Sequence, residues 1–232
     1  ANTTASNNTA VGKGALEANT TGTQNTALGS GALDACTTAS YNTAVGYIAG
    51  STQTTAAENT FIGAYAGALT TTGANNTSVG SSALYVNTTG ANNTAVGREA
   101  LVLNTTGANN TAVGSGALDA NTTGSFSTAV GTSALTAQTG AGAENTAVGH
   151  SSQLATTTGT GNSSFGEGSG KDITTGSQNV MIGADTGRAA SPSGSITTES
   201  NRLCMGNNTI TNAYIKVDWT VTSDKRDKTD IE

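Results

Sequence analysis

Apolar and polar positions recur along this chain with a period of 17 residues. Each copy of the pattern contains an Asn-Thr-Ala-Val-Gly-like motif, and in all eleven copies an apolar residue directly precedes the closing glycine. The closing glycines are Gly12, Gly29, Gly46, Gly63, Gly80, Gly97, Gly114, Gly131, Gly149, Gly166 and Gly183. They are 17 residues apart, except for one interval of 18 between Gly131 and Gly149. A fixed period of this size is typical of solenoid proteins, in which each copy forms one structural unit.

Each residue type keeps a nearly constant position within the copy. In the copy around Gly97, Asn93 stands four residues before the glycine, Ala100 and Leu101 follow it, and an Asn-Thr-Thr-Gly turn lies at 104–107. Seventeen residues are too few for a helix and a strand with their connections, and no helical i, i+3, i+4, i+7 stripe is present. Glycine and asparagine accept the positive φ angles that tight turns require. Each copy is therefore predicted to form two very short extended segments joined by turns.

This pattern predicts an all-β fold, a parallel β-solenoid (a β-roll or β-helix) in which each copy forms one coil. Stacked coils would align the asparagines into side-chain amide ladders and the Val and Leu positions into a thin apolar seam. Eleven coils that rise by the inter-strand spacing of ~4.8 Å would form a rod roughly 50–55 Å long. Such a seam is too thin to offset the entropy of ordering the backbone. We therefore expect a homo-oligomer that buries its small Ala and Gly columns against other chains.

The composition agrees with a thin core and excludes several classes of partner. Leu, Ile, Val and Phe make up 34 of the 232 residues, about 15%, which is below the ~20% under which disorder is normally suspected. The net charge of −6 is nevertheless too small for a disordered, self-repelling chain. Up to residue 215 the basic residues are scattered singly, so no nucleic acid partner is predicted. No apolar run is long enough for a membrane span.

The sequence contains little that is typical of a catalytic or metal site. His150 is the single histidine and stands in a variable column, so we expect it at the surface. Cys36 and Cys204 match no metal or redox spacing, and about ten coils separate them, so no disulfide within one chain is expected. No constellation of acidic, basic and histidine side chains recurs along the copies. We predict that the shaft is not an enzyme and that it has no cofactor and no metal.

Four regions follow from these patterns. Residues 1–190 form the repeat shaft, and residues 191–209 form an irregular transition that contains Pro192 and a degenerate twelfth copy ending at Gly206. Residues 210–222 alternate apolar and polar side chains, which predicts a half-buried strand. Residues 223–232 are mostly charged and hydrophilic. The first residues align with the end of a copy, so we expect a fragment of a longer fibre whose N-terminal attachment region is missing.

The Asn-Thr-Ala-Val-Gly copies resemble the repeats of trimeric autotransporter adhesin heads, which carry an Asn-Ser-x-Ala-x-Gly signature. The resemblance covers residues 1 to about 187, although the repeat of the adhesins is shorter. Those heads are left-handed parallel β-rolls, and the resemblance implies this class of architecture. It also implies a second possible function, that of a trimeric adhesin head on the bacterial cell surface.

A second resemblance concerns the sequence Ser-Asp-Lys-Arg-Asp-Lys-Thr-Asp-Ile at 223–231. It resembles the opening of the intramolecular chaperone domain that ends many phage tail fibres and tailspikes, including the endosialidases. The resemblance implies a homotrimer whose chaperone is released by self-cleavage between Thr222 and Ser223. Ser223 would be the nucleophile and Lys228 its general base, a chemistry that a desolvated lysine with a lowered pKa can support. Asp227 departs from the leucine that many relatives have. On this resemblance, residues 223–232 would correspond only to the start of the chaperone.

We therefore expect the shaft, or the receptor-facing end, of a phage tail fibre used in host attachment. Its partners would be two further copies of the chain, a host surface receptor (a glycan or a protein) and the virion tail, so its location would be the virion. An adhesin on the bacterial surface is the main alternative. An ice-binding solenoid is less favoured, because the adjacent threonines of each Thr-Thr pair belong to turns, whereas a flat threonine face requires Thr-x-Thr.

Overall fold

The computed structural model describes residues 4–140, 144–189 and 191–211. Over these ranges the chain is all-β, without a helix. Twelve strands of three residues each form one parallel sheet, in which the strand order follows the sequence. The strands are β1 Thr9–Val11, β2 Thr26–Leu28, β3 Thr43–Val45, β4 Thr60–Ile62, β5 Thr77–Val79, β6 Thr94–Val96, β7 Thr111–Val113, β8 Thr128–Val130, β9 Thr146–Val148, β10 Ser163–Phe165, β11 Val180–Ile182 and β12 Leu203–Met205. The prediction of a parallel β-solenoid with one coil per copy is confirmed.

Neighbouring coils are in register at every strand. Thr94 pairs with Thr77 on one side and with Thr111 on the other, so that equal positions of the repeat stack directly. The degenerate twelfth copy joins the same sheet, because Leu203 pairs with Val180 across a longer interval. The loop that contains Pro192 therefore lies between two paired coils.

Each described coil has one strand, not the two extended segments that the sequence predicts. The second segment, which begins at the Ala-Leu pair, runs as a series of turns. Leu101 shows the reason, since its φ angle of +52° lies in the left-handed region and interrupts any extended run. Its backbone N–H still donates to the Ala117 carbonyl of the next coil at 3.0 Å. The turns therefore stack through hydrogen bonds between coils without forming a second sheet.

The interior of each coil contains the middle residue of the strand and the Ala-Leu pair. In the coil of β6, Ala95, Ala100 and Leu101 are fully buried. Alternate residues of a strand point to opposite faces, so Thr94 and Val96 point outward. The predicted apolar seam is therefore confirmed for the Leu column, which lies inside the coil. It is wrong for the Val column, which lies on the outer face. The Ala columns are also buried within their own chain, not against other chains as expected.

Buried asparagines stack as side-chain amide ladders, as predicted. In the first column, Asn93 accepts the backbone N–H of Asn110 at 3.0 Å and donates from Nδ2 to the Gly107 carbonyl at 2.9 Å. In the second column, Asn104 donates from Nδ2 to Oδ1 of Asn87 at 2.8 Å. An amide side chain both donates and accepts, so each asparagine satisfies buried groups of its neighbours. The ladders thus stabilise a register that the thin apolar interior alone fixes only weakly.

The glycine that closes each motif is required by its surroundings. Gly97 has a φ angle of +133°, and a β-carbon added there would lie 2.6 Å from the carbonyl oxygen of Gly114 in the next coil. Because this contact is with backbone, a side chain at Gly97 would push the coils apart. The glycine column therefore permits the close stacking of the coils.

The coils around β4 fill their interior in a different way. The Leu column holds Gly50 and Gly67 there, and the strand carries Phe61 in place of alanine. A β-carbon on Gly50 would lie 2.6 Å from Cδ2 of Phe61, and one on Gly67 would clash with the same ring. Met181 lies beside Gly187 in a similar arrangement near the other end of the rod. In these places a large apolar side chain on the strand fills the space that the missing leucine leaves.

Candidate interaction surface

The outer face of the sheet is formed by the first and third residues of every strand. The first column is mostly threonine, and the third column is apolar in all twelve described strands. The third-column residues, which we call the apolar ridge, are Val11, Leu28, Val45, Ile62, Val79, Val96, Val113, Val130, Val148, Phe165, Ile182 and Met205. Val113 is 36% exposed and Phe165 44%, so these side chains are partly or largely open to solvent.

The apolar ridge is long and carries no charge. At an inter-strand spacing of ~4.8 Å its twelve strands extend over about 53 Å, and it runs about 7 Å from the threonine column on the same face. The described strands place no charged residue in either column, although 10% of the residues of the chain are charged. The face therefore presents a few hundred Å² of apolar and neutral surface, an extent at which exposed patches often mark interaction sites.

The Thr-Thr pairs lie in turns outside the strands, as the sequence indicates. The first threonine of the pair stabilises the stack, since the Thr105 hydroxyl donates to the Thr122 carbonyl of the next coil at 2.8 Å. The second threonine, Thr106 in this coil, is exposed. These pairs therefore act mainly as links between coils and do not form part of the flat outer face.

Three tyrosines in successive coils form a cluster on the surface. The rings of Tyr47 and Tyr65 meet edge to face with their centroids 5.3 Å apart, and those of Tyr65 and Tyr85 meet in the same manner at 6.2 Å. Edge-to-face packing is a favourable geometry for aromatic rings. The tyrosines therefore stabilise contacts between coils as well as exposing aromatic surface.

The residues that the sequence suggests for catalysis or metal binding do not form a common site. His150 is exposed, and its Nδ1 lies 3.7 Å from Oε1 of the exposed Glu167. Cys36 and Cys204 are buried free thiols, and burial raises the pKa of the Cys36 thiol. In the part of the chain that the structure describes, no three His, Cys, Asp or Glu side chains gather in a group that could hold a metal ion.

The residues implied for self-cleavage, Ser223 and Lys228, lie outside the described residues. The bond between Thr222 and Ser223 and the strand expected within 210–222 lie outside them as well. The surface that sequence reasoning missed is the apolar ridge. Its signal is present in the Thr-Ala-Val triplet, because an interior as thin as this one accepts alanine more readily than valine at the middle position.

Comparisons with known proteins give no match: no protein-family model, no curated protein and no solved structure matches this chain. Within the described ranges, none of the structure forms a helix long and apolar enough to cross a membrane. A functional assignment therefore depends on the geometry of the stacked coils and of their outer face.

Proposed function

We propose that this protein is the structural shaft of a trimeric fibre in which the apolar ridge of each chain packs against the ridges of two further copies. The observation that carries the proposal is the ridge, which is apolar in all twelve described strands and has no charged residue beside it on the face. On an isolated rod these side chains would contact water along the whole length. Three parallel copies in register around a common axis would cover them.

Covering the ridge supplies stability that the interior of a single coil lacks. One leucine, such as Leu101, and small alanines fill the interior of a typical coil. At about 25 cal/mol per Å², burial of a few hundred Å² contributes several kcal/mol per chain. Oligomerisation is a common way to stabilise chains whose own core is small.

Within this structural role we propose a phage tail fibre that acts in host attachment and is matured by self-cleavage. The resemblance of residues 223–231 to the start of a fibre chaperone supports this assignment, with Ser223 as nucleophile and Lys228 as base. Uniform stacked coils suit a mechanical task, which is to hold a receptor-binding end away from the virion. Intact mass of the full-length precursor tests the cleavage, since Ser223→Ala should abolish it. A bacterial surface adhesin with the same trimeric rod is the alternative.

A second candidate function is ice binding, and the outer face favours it. In β6, Thr94 and Val96 point to the same side, about 7 Å apart, and equivalent pairs recur every ~4.8 Å along the rod. A flat, regular array of hydroxyl and methyl groups is able to order water in two dimensions. This function requires the face to be open to solvent, whereas the fibre requires it to be covered.

The mass of the purified chain in solution distinguishes these functions. The fibre proposal predicts three times the 22.7 kDa of one chain by light scattering. Val96→Asp places a charge in the ridge and should convert the trimer to monomers, because three buried carboxylates would meet at the axis. Thr106→Asp, at an exposed turn position, is the matched control and should leave the trimer intact.

The other outcomes are equally informative. A stable monomer that lowers the freezing point below the melting point of ice would support ice binding and reject the trimer. A stable monomer without this activity would reject both proposals.

A further inference from the structure

Between β9 and β11 the buried side chains of the rod change from apolar to polar. Ala147 and Ile173 are buried apolar residues, but every buried side chain in the stretch between them is polar. Six of these are fully buried: Ser152, Gln153, Thr156, Asn162, Ser164 and Ser169. The stretch 148–172 therefore separates an apolar cluster that ends at Ala147 from another that begins at Ile173.

Three of these side chains have a buried polar atom without a hydrogen-bond partner. The atoms are Oε1 of Gln153, Oγ1 of Thr156 and Oγ of Ser164. A buried polar group without a partner has lost its water and gained no hydrogen bond in return. Elsewhere Thr70, Asp119 and Arg188 each have one such atom, but these three residues lie in separate coils. Such atoms are therefore concentrated in this stretch, where three fall within residues 153–164.

Ser164 has no partner because the acceptor that its column would use is occupied. Ser78 stands in the same column and donates to the Ala83 carbonyl at 2.7 Å. The corresponding carbonyl in the coil of Ser164 is that of Ser169. It accepts a backbone N–H at 2.9 Å and the Ser152 hydroxyl at 3.2 Å, so both of its lone pairs are used. The serine that replaces the usual Ala at 152 thus leaves the hydroxyl of Ser164 unpaired.

Thr156 has no partner because its side chain is short for its column. Asn104 stands in the same column and donates from Nδ2 to the Gly107 carbonyl at 2.9 Å. The equivalent carbonyl, that of Gly159, accepts from Nδ2 of Asn145 at 2.8 Å. The threonine hydroxyl lacks the length of an amide side chain and makes no bond to it. The second asparagine ladder is therefore interrupted at this coil.

We propose that residues 151–170 are a built-in opening point of the rod. The stability of a solenoid is a sum of terms for each coil and for its contacts with the next coil, so a coil that is weak in both opens first. At this point the hydrogen bonds between coils break and water enters while the apolar clusters on both sides stay folded. The rod consequently bends or unravels at one defined height. This proposal is independent of the fibre assignment.

Hydrogen–deuterium exchange of the whole chain, read by mass spectrometry, tests the opening point. Peptides within 151–170 should exchange at least tenfold faster than peptides within 84–135. Gln153→Leu combined with Ser164→Ala places the residues of the central coils at two of these positions, removes two of the three unpartnered atoms and should slow this exchange at least fivefold. Leucine at position 153 requires no change of the backbone, since the φ angle of Gln153 is +50° and that of Leu101, in the same column, is +52°. Ser78→Ala is the matched control and should not slow exchange, because the Ser78 hydroxyl already has a partner.

Equal protection of 151–170 and 84–135 in the parent chain would overturn the proposal. An unchanged exchange rate in the double variant would overturn the assigned cause. Limited proteolysis with thermolysin gives a second measurement on the parent chain, without any variant. First cleavage within 151–170 supports the opening point, and first cleavage within 84–135 contradicts it.

Discussion

Two regions of the rod fill the interior of the coil with different residues. In the central coils a leucine such as Leu84 or Leu101 fills the coil, and the strand carries a small residue. Around β4 the leucine column holds Gly50 and Gly67, and the ring of Phe61 on the strand takes up the space. In both regions an apolar side chain fills the interior, because protein interiors are packed to nearly uniform density. The residue type that fits at one position of the repeat therefore depends on the side chains that it packs against.

The largest expected effect comes from removing the ring that distinguishes the β4 region. Phe61→Ala should lower the free energy of unfolding by about 3–5 kcal/mol, since the two adjacent glycines cannot fill the cavity. Leu101→Ala, the matched change in a central coil, should cost about 2–5 kcal/mol. Urea unfolding followed by circular dichroism measures both values.

A leucine returned to its column should reverse the loss. Gly67→Leu alone is expected to destabilise the chain, because the new side chain meets the ring of Phe61. Combined with Phe61→Ala it should recover part of the stability, since Gly67, at +57°, already has nearly the φ angle of Leu101. Additive effects of the two changes would contradict the packing relation between these positions.

An intermediate effect is expected in the amide ladder, which runs through both regions. Asn93→Ala in a central coil and Asn59→Ala beside Phe61 each remove buried hydrogen bonds to the neighbouring coil. Each should cost about 2–4 kcal/mol, because the backbone N–H of the next coil is left buried without its acceptor, at about 1–3 kcal/mol, and the lost amide leaves a gap in the interior. Similar losses for the two variants in urea unfolding would show that the ladder is independent of how the interior is packed.

Asn92→Gly is the control for the ladder. Asn92 is exposed and has a positive φ angle that glycine also adopts. The substitution should therefore lower the free energy of unfolding by only a few tenths of a kcal/mol. A loss comparable with that of Asn93→Ala would show that burial is not the source of the effect.

The smallest expected effect is a dependence on pH in a central coil. Asp119 stands in a column where the β4 region has Ala68, and burial, with a contribution from Glu99, raises the pKa of its carboxyl above 3.8. The folded state therefore binds the proton more tightly than the unfolded chain does. The resulting stability is present at low pH and is lost as the pH rises through the folded-state pKa.

Asp119→Asn should consequently stabilise the protein at neutral pH and change little near pH 3, where both states are protonated. Urea unfolding of parent and variant at the two pH values measures the difference. An equal gain at both pH values would mean that the charge of Asp119 is not responsible.

Sequence reasoning works best for columns whose residue has one physical role. The close approach of backbone at Gly97 and the two-sided hydrogen bonding of Asn93 leave few substitutes, so the period, the coil and the ladders are predictable. Val96 is different, because an apolar residue in a three-residue strand suits either an interior or a buried interface. The left-handed φ of Leu101 is unusual for leucine and results from the stacking of coils, so it is not visible in the composition. The roles of Ser223 and Lys228 stay predictions.

The glycine column also bears on how a rod of this kind changes over generations. A coil that is copied or lost as a whole 17-residue unit again places glycine against glycine, as Gly97 lies against Gly114. Extra residues are accepted between the columns, as in the 18-residue interval before Gly149. Duplication of one short gene segment would therefore yield a chain that still folds in register and is longer by one coil, about 4.8 Å. The length of the rod can therefore change during evolution in equal steps of one coil.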